Sequence, residues 1–154
     1  MAELGTGLRV RDLVLDDFDA VVRIDAAHTR ERDDASWRRI FPIYVGRNVP
    51  HAFAIGADVG DGLAGYLFGE VRAVEFGADP AGWVFSVGVD PTRQRQGIAR
   101  ALLAEAKRRF ALSGVRHVRT MVKRNDVAIL SFFRSAGFVG GPFVQLEVDL
   151  REDA

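Results

Sequence analysis

Apolar and polar positions change rhythm several times along the chain, and each change predicts an element. Leu8-Arg-Val-Arg-Asp-Leu-Val14 alternates with period two and reads as a first strand. Asp16 or Asp17 then caps a helix that carries Phe18, Val21, Val22 and Ile24 and ends near His28. A charged link, Thr29 to Asp34, leads to a second helix from Ala35 to Gly46, with Trp37, Ile40 and Phe41 on its apolar side and a bend or break expected at Pro42. Three strands follow, His51 to Ala57, Gly62 to Phe76 and Gly82 to Val89, the first two joined by a tight hairpin at Gly60-Asp61-Gly62. From Gly97 to Leu112 the residues Ile98, Leu102, Ala106 and Phe110 recur at i, i+4 spacing, which predicts a helix, and Ser113-Gly114 stops it. Val115 to Val122 reads as a strand and Asp126 to Ala136 as a helix. Gly137-Phe138 then opens a last hairpin whose returning strand is Phe143 to Leu150.

The chain has 154 residues, 48% hydrophobic and 27% charged, with no repeat, low-complexity tract or linker, and suits a single domain over 1–154. Twenty-one basic residues balance twenty-one acidic ones, so no global field recruits nucleic acid or an anionic membrane. The absence of cysteine excludes disulfides, a cysteine nucleophile and cysteine-ligated metal, and fits a reducing compartment. His28, His51 and His117 are too widely spaced to suggest a metal site, and none is expected. No basic stretch followed by an apolar segment opens the chain, and no apolar run is long enough to cross a bilayer. The expectation is a soluble, cytoplasmic protein.

The strand Val84 to Val89 runs through Asp90-Pro-Thr-Arg-Gln-Arg-Gln96 straight into the helix at Gly97. Gly97 and the small Ala99 let backbone N–H groups approach an anion, and the new helix points its unsatisfied donors and positive dipole end at the same place. Cations are unfavourable at a helix start unless an anion is near, so Arg93, Arg95 and Arg100 point to an anionic ligand. Lys107, Arg108 and Arg109, at the other end of that helix, need none. No Lys-Ser or Lys-Thr follows Gly97, which removes a P-loop. No G-x-G-x-x-G with an acidic residue roughly 20 positions on is present, which weakens a Rossmann reading.

Gln94-Arg95-Gln96-Gly97-Ile98-Ala99 fits Q/R-x-x-G-x-G/A, and in this the chain resembles the GCN5-related N-acetyltransferase (GNAT) family, whose acyl-CoA loop carries that pattern. Asn125 to Phe138 is similar to the family's N-x-x-A-x-x-x-Y-x-x-x-G-F segment, and the order of elements is the family's. Counting forward from Asn125 puts Phe132 at the tyrosine position. Counting back from Gly137-Phe138, the preferred anchor, puts Phe133 there and Asp126 at the asparagine.

The resemblance implies an α/β fold with a mixed, mostly antiparallel, V-shaped sheet of six to seven strands flanked by about four helices. It implies acetyl-CoA as co-substrate and transfer of the acetyl group to a primary amine of a small molecule or protein, by direct attack through a tetrahedral intermediate. It also allows a homodimer. Val87, Gly88 and Val89 would offer main-chain groups to the pantetheine arm, with Gly88 suited to a bulge or a close backbone approach. The turn Gln94, Arg95, Gln96, Gly97, Ile98, Ala99 and Arg100 would hold the pyrophosphate through N–H groups from Gln96 onward, and the Val87 N–H would stabilise the oxyanion. Asn125, Asp126 and Phe133 complete the implied cofactor-binding set.

An acceptor amine is mostly protonated near neutral pH and must lose a proton before attack. Glu70 is the favoured proton acceptor, with Tyr66 and Arg72 on its face by alternation and Glu75 on the other. A water chain with no dedicated base stands beside it, and Glu31, Asp33 and Asp34 lie in the link that borders the acceptor site in relatives. The family tyrosine that protonates the leaving thiolate is phenylalanine in either register, and Tyr44 and Tyr66 are the only tyrosines. A thiol pKa near ~8.5 makes a tolerable leaving group. The missing hydroxyl leaves a catalytically silent acetyl-CoA-binding module as the alternative. Nucleic-acid binding through the arginines around Arg93 is a third reading, opposed by the zero net charge. Phe132 and Phe133 read first as core, Trp83 as core or acceptor pocket, His117 as a packed or edge residue, and His28 as lying near the acceptor side.

Overall fold

Strands that alternate in the first four-fifths of the chain pair with one another in chain order. The computed structural model describes residues 3–4, 7–46, 51–73, 77 and 79–152, and the chain divides into two units, Met1–Met121 and Val122–Ala154. The first unit holds six strands: β1 (Glu3–Leu4), β2 (Leu8–Asp12), β3 (Ala52–Asp58), β4 (Leu63–Arg72), β5 (Ala81–Val89) and β6 (Val118–Thr120). They form one sheet of order β1-β2-β3-β4-β5-β6. Helices α1 (Phe18–Thr29) and α2 (Asp34–Tyr44) connect β2 to β3, and α3 (Ile98–Leu112) connects β5 to β6. All neighbours are antiparallel except β5 and β6, which are parallel and need that crossover helix.

The sheet is covered on both faces. Val21, Val22 and Ile24 of α1 and Trp37 and Phe41 of α2 pack with Ala54, Tyr66 and Phe68. On the other face glycines make room for α3: a Cβ at Gly82 would come within 2.5 to 2.8 Å of the Phe110 ring, and one at Gly65 would meet Ile98 at 2.9 Å.

Local chemistry explains several departures from the pattern. Asp17 does not cap α1. Its carboxylate accepts from the Val14 N–H (2.8 Å) and from both terminal nitrogens of Arg11 (2.8 and 3.0 Å), closing a 3₁₀ turn, Leu15–Asp17, ahead of the helix. Pro42 does not break α2, because it lies in the last turn and the helix ends two residues later. The strand expected to reach Phe76 stops at Arg72; Val74, Glu75 and Phe76 lie outside the described residues. β6 has three residues and excludes His117, whose carbonyl accepts from the Gly82 N–H at 2.9 Å. The β3–β4 hairpin forms where expected, with Gly60 and Gly62 at φ 98° and 135°.

The second unit consists of α4 (Val127–Ser135) and an extended tail. The strand expected over Phe143–Leu150 does not form. Val144, Leu146, Val148 and Leu150 alternate as a strand would, yet they are 67% to 89% exposed. Alternation records only a capacity to pair, and among the described residues no strand forms a ladder with this segment. Among the described residues, too, no helix is long and apolar enough to cross a membrane.

Candidate active site

The two edges of β5 are treated differently. One is paired with β4 from Ala81 to Val89, while the other meets β6 only through Gly82, Trp83 and Val84. A bulge marks the change: Phe68 lies opposite Ser86 and Gly69 opposite Val84, so Phe85 is the extra residue. Asp90 donates its N–H to the Ala64 carbonyl (2.8 Å), which makes Ala64/Asp90, Tyr66/Gly88 and Phe68/Ser86 the hydrogen-bonded pairs of the ladder. Val87 and Val89 therefore aim N–H and C=O away from β4, along an edge that no strand occupies among the described residues. An extended ligand can bond there as an added strand would. The bulge is at Phe85 rather than Gly88. Gly88 instead faces the Tyr66 ring, which lies 2.8 to 2.9 Å from where a Cβ would stand.

Beyond Val89 the chain is shaped for an anion. The Asp90 carboxylate accepts from the Thr92 N–H (3.0 Å) and hydroxyl (2.8 Å), which holds its pKa below the usual carboxylate range and fixes the 3₁₀ turn Pro91–Arg93. Gln94 to Gly97 are exposed, with Arg95 and Gly97 in the left-handed region at φ 67° and 77°. The first intrahelical bond of α3 runs from the Ala101 N–H to the Gly97 carbonyl (3.0 Å), and no side chain caps the helix. The N–H groups of Ile98 and Ala99, at the first positions of the helix, thus have no helical acceptor. By contrast, Asp33 caps α2 through the Ser36 N–H (3.0 Å) and Asp126 caps α4 through the Ile129 N–H (3.2 Å). Arg95 makes no side-chain hydrogen bond or ion pair with the described residues. Arg93, expected to face the ligand, is instead bound to Asp61 by two bonds of 2.9 and 3.0 Å, because the β3–β4 hairpin lies beside the turn.

Several polar groups lie on the side of the sheet that α1 and α2 cover. Glu70 is opposite Trp83 and accepts from the Tyr44 hydroxyl (3.3 Å) and from Arg72 Nε (3.2 Å). Burial and the neighbouring Glu70 charge push the Tyr44 hydroxyl up to about 12. The Arg72 guanidinium lies 4.5 Å over the Trp83 ring. Trp83 is four residues before Val87, about 13 Å at roughly 3.3 Å per residue. A proton reaching Glu70 from beside Val87 must therefore travel through water.

Other groups stand closer to that end of β5. The hydroxyl of buried Tyr66 accepts from Ser86 Oγ (3.5 Å) and interacts with Asp25, and burial pushes its pKa far up. Asp25 also accepts from Trp37 Nε1 (2.9 Å). His28, one turn beyond Asp25 on α1, places Nε2 2.6 Å from the Val89 carbonyl oxygen. A carbonyl only accepts, so Nε2 carries the proton and Nδ1 of the neutral ring remains an acceptor.

The other sequence candidates have structural occupations. Asp33 is held below its ordinary pKa by the Ser36 N–H, and Asp34 by its ion pair with Arg32 (2.6 Å). Asn125 is exposed in the turn before α4, Asp126 is that helix's cap, and Phe133 is buried with its ring edge-on to Phe132 and Phe138 (5.2 and 5.0 Å). Among the described residues no group of three acidic or histidine side chains is placed to hold a metal. The contact of His28 with Val89, the bulge at Phe85 and the place of Asp25 were not legible beforehand. The only sequence signal, the i, i+3 spacing of Asp25 and His28, gains meaning once α1 lies over β5.

Comparison with known proteins bears on the family and the fold. The model of the acetyltransferase (GNAT) family matches residues 9–138. The mycothiol acetyltransferase of Kocuria rhizophila is 29% identical over 118 residues, covering 75% of this chain and 36% of that protein. The chain thus spans about a third of the length of that curated relative. An aminoglycoside acetyltransferase from an uncultured soil metagenomic sample, solved with trehalose, has a TM-score of 0.74 at 19% identity, covering 96% of this chain and 99% of the other. An aminoglycoside N-acetyltransferase solved in complex with CoA has a TM-score of 0.79 at 14% identity, with 97% and 99% covered. At these identities the likeness is one of fold.

Proposed function

The chain belongs to the GNAT acetyltransferase family, and on that premise we propose that it is an acetyl-CoA-dependent N-acetyltransferase that acetylates a primary amine of a small molecule or protein by direct attack. The observation that carries this reading is the set of backbone donors that neither ladder nor cap engages among the described residues, the outward N–H groups of Val87 and Val89 and those of Ile98 and Ala99 at the uncapped start of α3. Acetyl-CoA supplies a reactive thioester at one end and a pyrophosphate at the other, matching those two places.

In this reading Gln94 to Arg100 hold the pyrophosphate through the N–H groups of Ile98 and Ala99, with Arg95 adding charge. The Val89 N–H bonds the pantetheine arm, while its carbonyl is held by His28. The Val87 N–H stabilises the oxygen on which negative charge develops. His28 Nδ1 takes the ammonium proton, directly or through one water, and Glu70 binds the acceptor farther along the strand. Phe133 has no hydroxyl to give, so the thiolate leaves unassisted. A chain without cysteine suits a reducing cytoplasm.

The missing family hydroxyl favours one second reading, a module that binds acetyl-CoA and transfers nothing. Both are tested by supplying acetyl-CoA and a panel of primary amines and following thiol release together with acetylated product. Turnover establishes the transferase. Binding of acetyl-CoA without turnover on any amine selects the silent module.

A further inference from the structure

Phe85 is the inserted residue of the β5 bulge, and its ring is 45% exposed although its strand lies inside the sheet. The insertion turns two consecutive residues toward α1 and α2: Ser86 reaches the Tyr66 hydroxyl, and the Phe85 ring stacks on Tyr44 at 5.8 Å and 13°. Tyr44 is itself fixed. It is buried, edge-on to Phe68 at 5.6 Å, and bonded through its hydroxyl to Glu70. One face of Phe85 is thus anchored and the ring remains open to solvent, the re-aiming of a side chain that bulges bring about beside active sites.

Groups of three kinds follow one another along β5. Glu70 lies opposite Trp83, then comes the Tyr44–Phe85 stack, and two residues later, about 7 Å on, the outward N–H of Val87. We propose that Phe85, Tyr44 and Glu70 form the acceptor subsite, and that the acceptor is a primary amine carried a short chain away from an aromatic ring with a hydrogen-bond donor on its far side. This rests on the acetyltransferase reading above. A ring laid on Phe85 gains the offset-stacking attraction of aromatic pairs. Two or three single bonds then carry its nitrogen to the level of Val87 and His28. On the opposite side the ring's donor meets Glu70, whose side chain is 28% exposed and whose oxygens each keep acceptor capacity after bonding Tyr44 and Arg72. An aliphatic amine gains nothing from the stack.

The test compares tyramine, phenethylamine, n-butylamine and glucosamine as acceptors for the wild-type protein, Phe85→Ala, Phe85→Trp and Glu70→Gln. Wild type should favour tyramine. Phe85→Ala should raise KM for both aromatic amines by roughly three- to tenfold without changing KM for acetyl-CoA, and Phe85→Trp should retain low values. Glu70→Gln, which keeps a neutral acceptor in place of a charged one, should narrow the preference of tyramine over phenethylamine. Equal use of n-butylamine or glucosamine, or a Phe85→Ala effect that is the same for every amine, would overturn the subsite. Calorimetric binding of tyramine separates this proposal from the acetyltransferase reading. If no amine is acetylated, tyramine binding that Phe85→Ala weakens by roughly three- to tenfold still supports the subsite, and no binding to folded wild type overturns it.

Discussion

From Ala81 to Val84, β5 is paired with β4 on one side and, from Gly82 on, with β6 on the other, and Gly82 is pressed by the Phe110 ring. From Phe85 to Val89 the same strand keeps only β4, and presents a half-open ring, a glycine flat against Tyr66, and two outward N–H groups. The first part of the strand is thus paired on both edges from Gly82 to Val84, and the second on one edge only among the described residues. The helix starts repeat the contrast, since aspartates cap α2 and α4 whereas α3 begins at Gly97 with no side chain to cap it. In the proposed reading the site is made of backbone groups that the ladders and caps do not engage, with polar side chains around it.

Proline substitution sets the two orientations of β5 against each other most sharply. Val87→Pro deletes an N–H that makes no bond to β4, so the protein should fold while kcat falls roughly a hundredfold or more. Ser86→Pro deletes a ladder donor and should lower the melting temperature markedly. Equal thermal destabilisation of both variants would break the comparison.

His28→Ala should reduce kcat by roughly a hundredfold. His28→Gln, which can still donate to the Val89 carbonyl, should keep acetyl-CoA affinity without restoring kcat. A kcat unchanged in both would return proton acceptance to water and Glu70.

On the fold side, Asp17→Asn should cost about 1 to 2 kcal/mol at neutral pH and leave acetyl-CoA binding alone. Burial opposes ionisation of Asp17, but the Arg11 bonds and the Val14 N–H outweigh it and the folded pKa is lowered. Its contribution is accordingly full above the unfolded carboxylate pKa and lost as pH falls through the folded value. Denaturant titrations of the two proteins should converge in acid, and a gap that widened there would contradict the assignment. Smallest of all, Asp61→Ala removes an exposed ion pair and should alter acetyl-CoA affinity by less than about fivefold, because such pairs contribute at most about 1 kcal/mol. A large change would give Arg93 a part in the site.

How much of this could be read from the chain depended on how local each cause is. Gly97 is legible because a left-handed residue at a helix start is a local demand, and the i, i+4 stripe after it is equally local. The Phe85 bulge depends on the register of two strands whose paired residues are up to 24 positions apart, and no pattern within β5 announces it. The pairing of Arg93 with Asp61 was not legible because Asp61, 32 residues away, folds back beside it. Phe143 to Leu150 has the alternation of a strand, but a strand also needs a partner, which alternation does not record. His28 meets Val89 across 61 residues, a distance only the packing of α1 on the sheet closes.

Calorimetric titration of acetyl-CoA into wild type and Gly97→Glu, with ATP and NAD as controls, tests the backbone-built site most directly. A side chain at Gly97 enters open space, and its positive φ costs on the order of 1 kcal/mol, so the variant should fold. Wild type should bind acetyl-CoA in preference to both controls and Gly97→Glu should not bind it. Unchanged affinity in the folded variant, or no binding by folded wild type, would contradict a phosphate site at the start of α3.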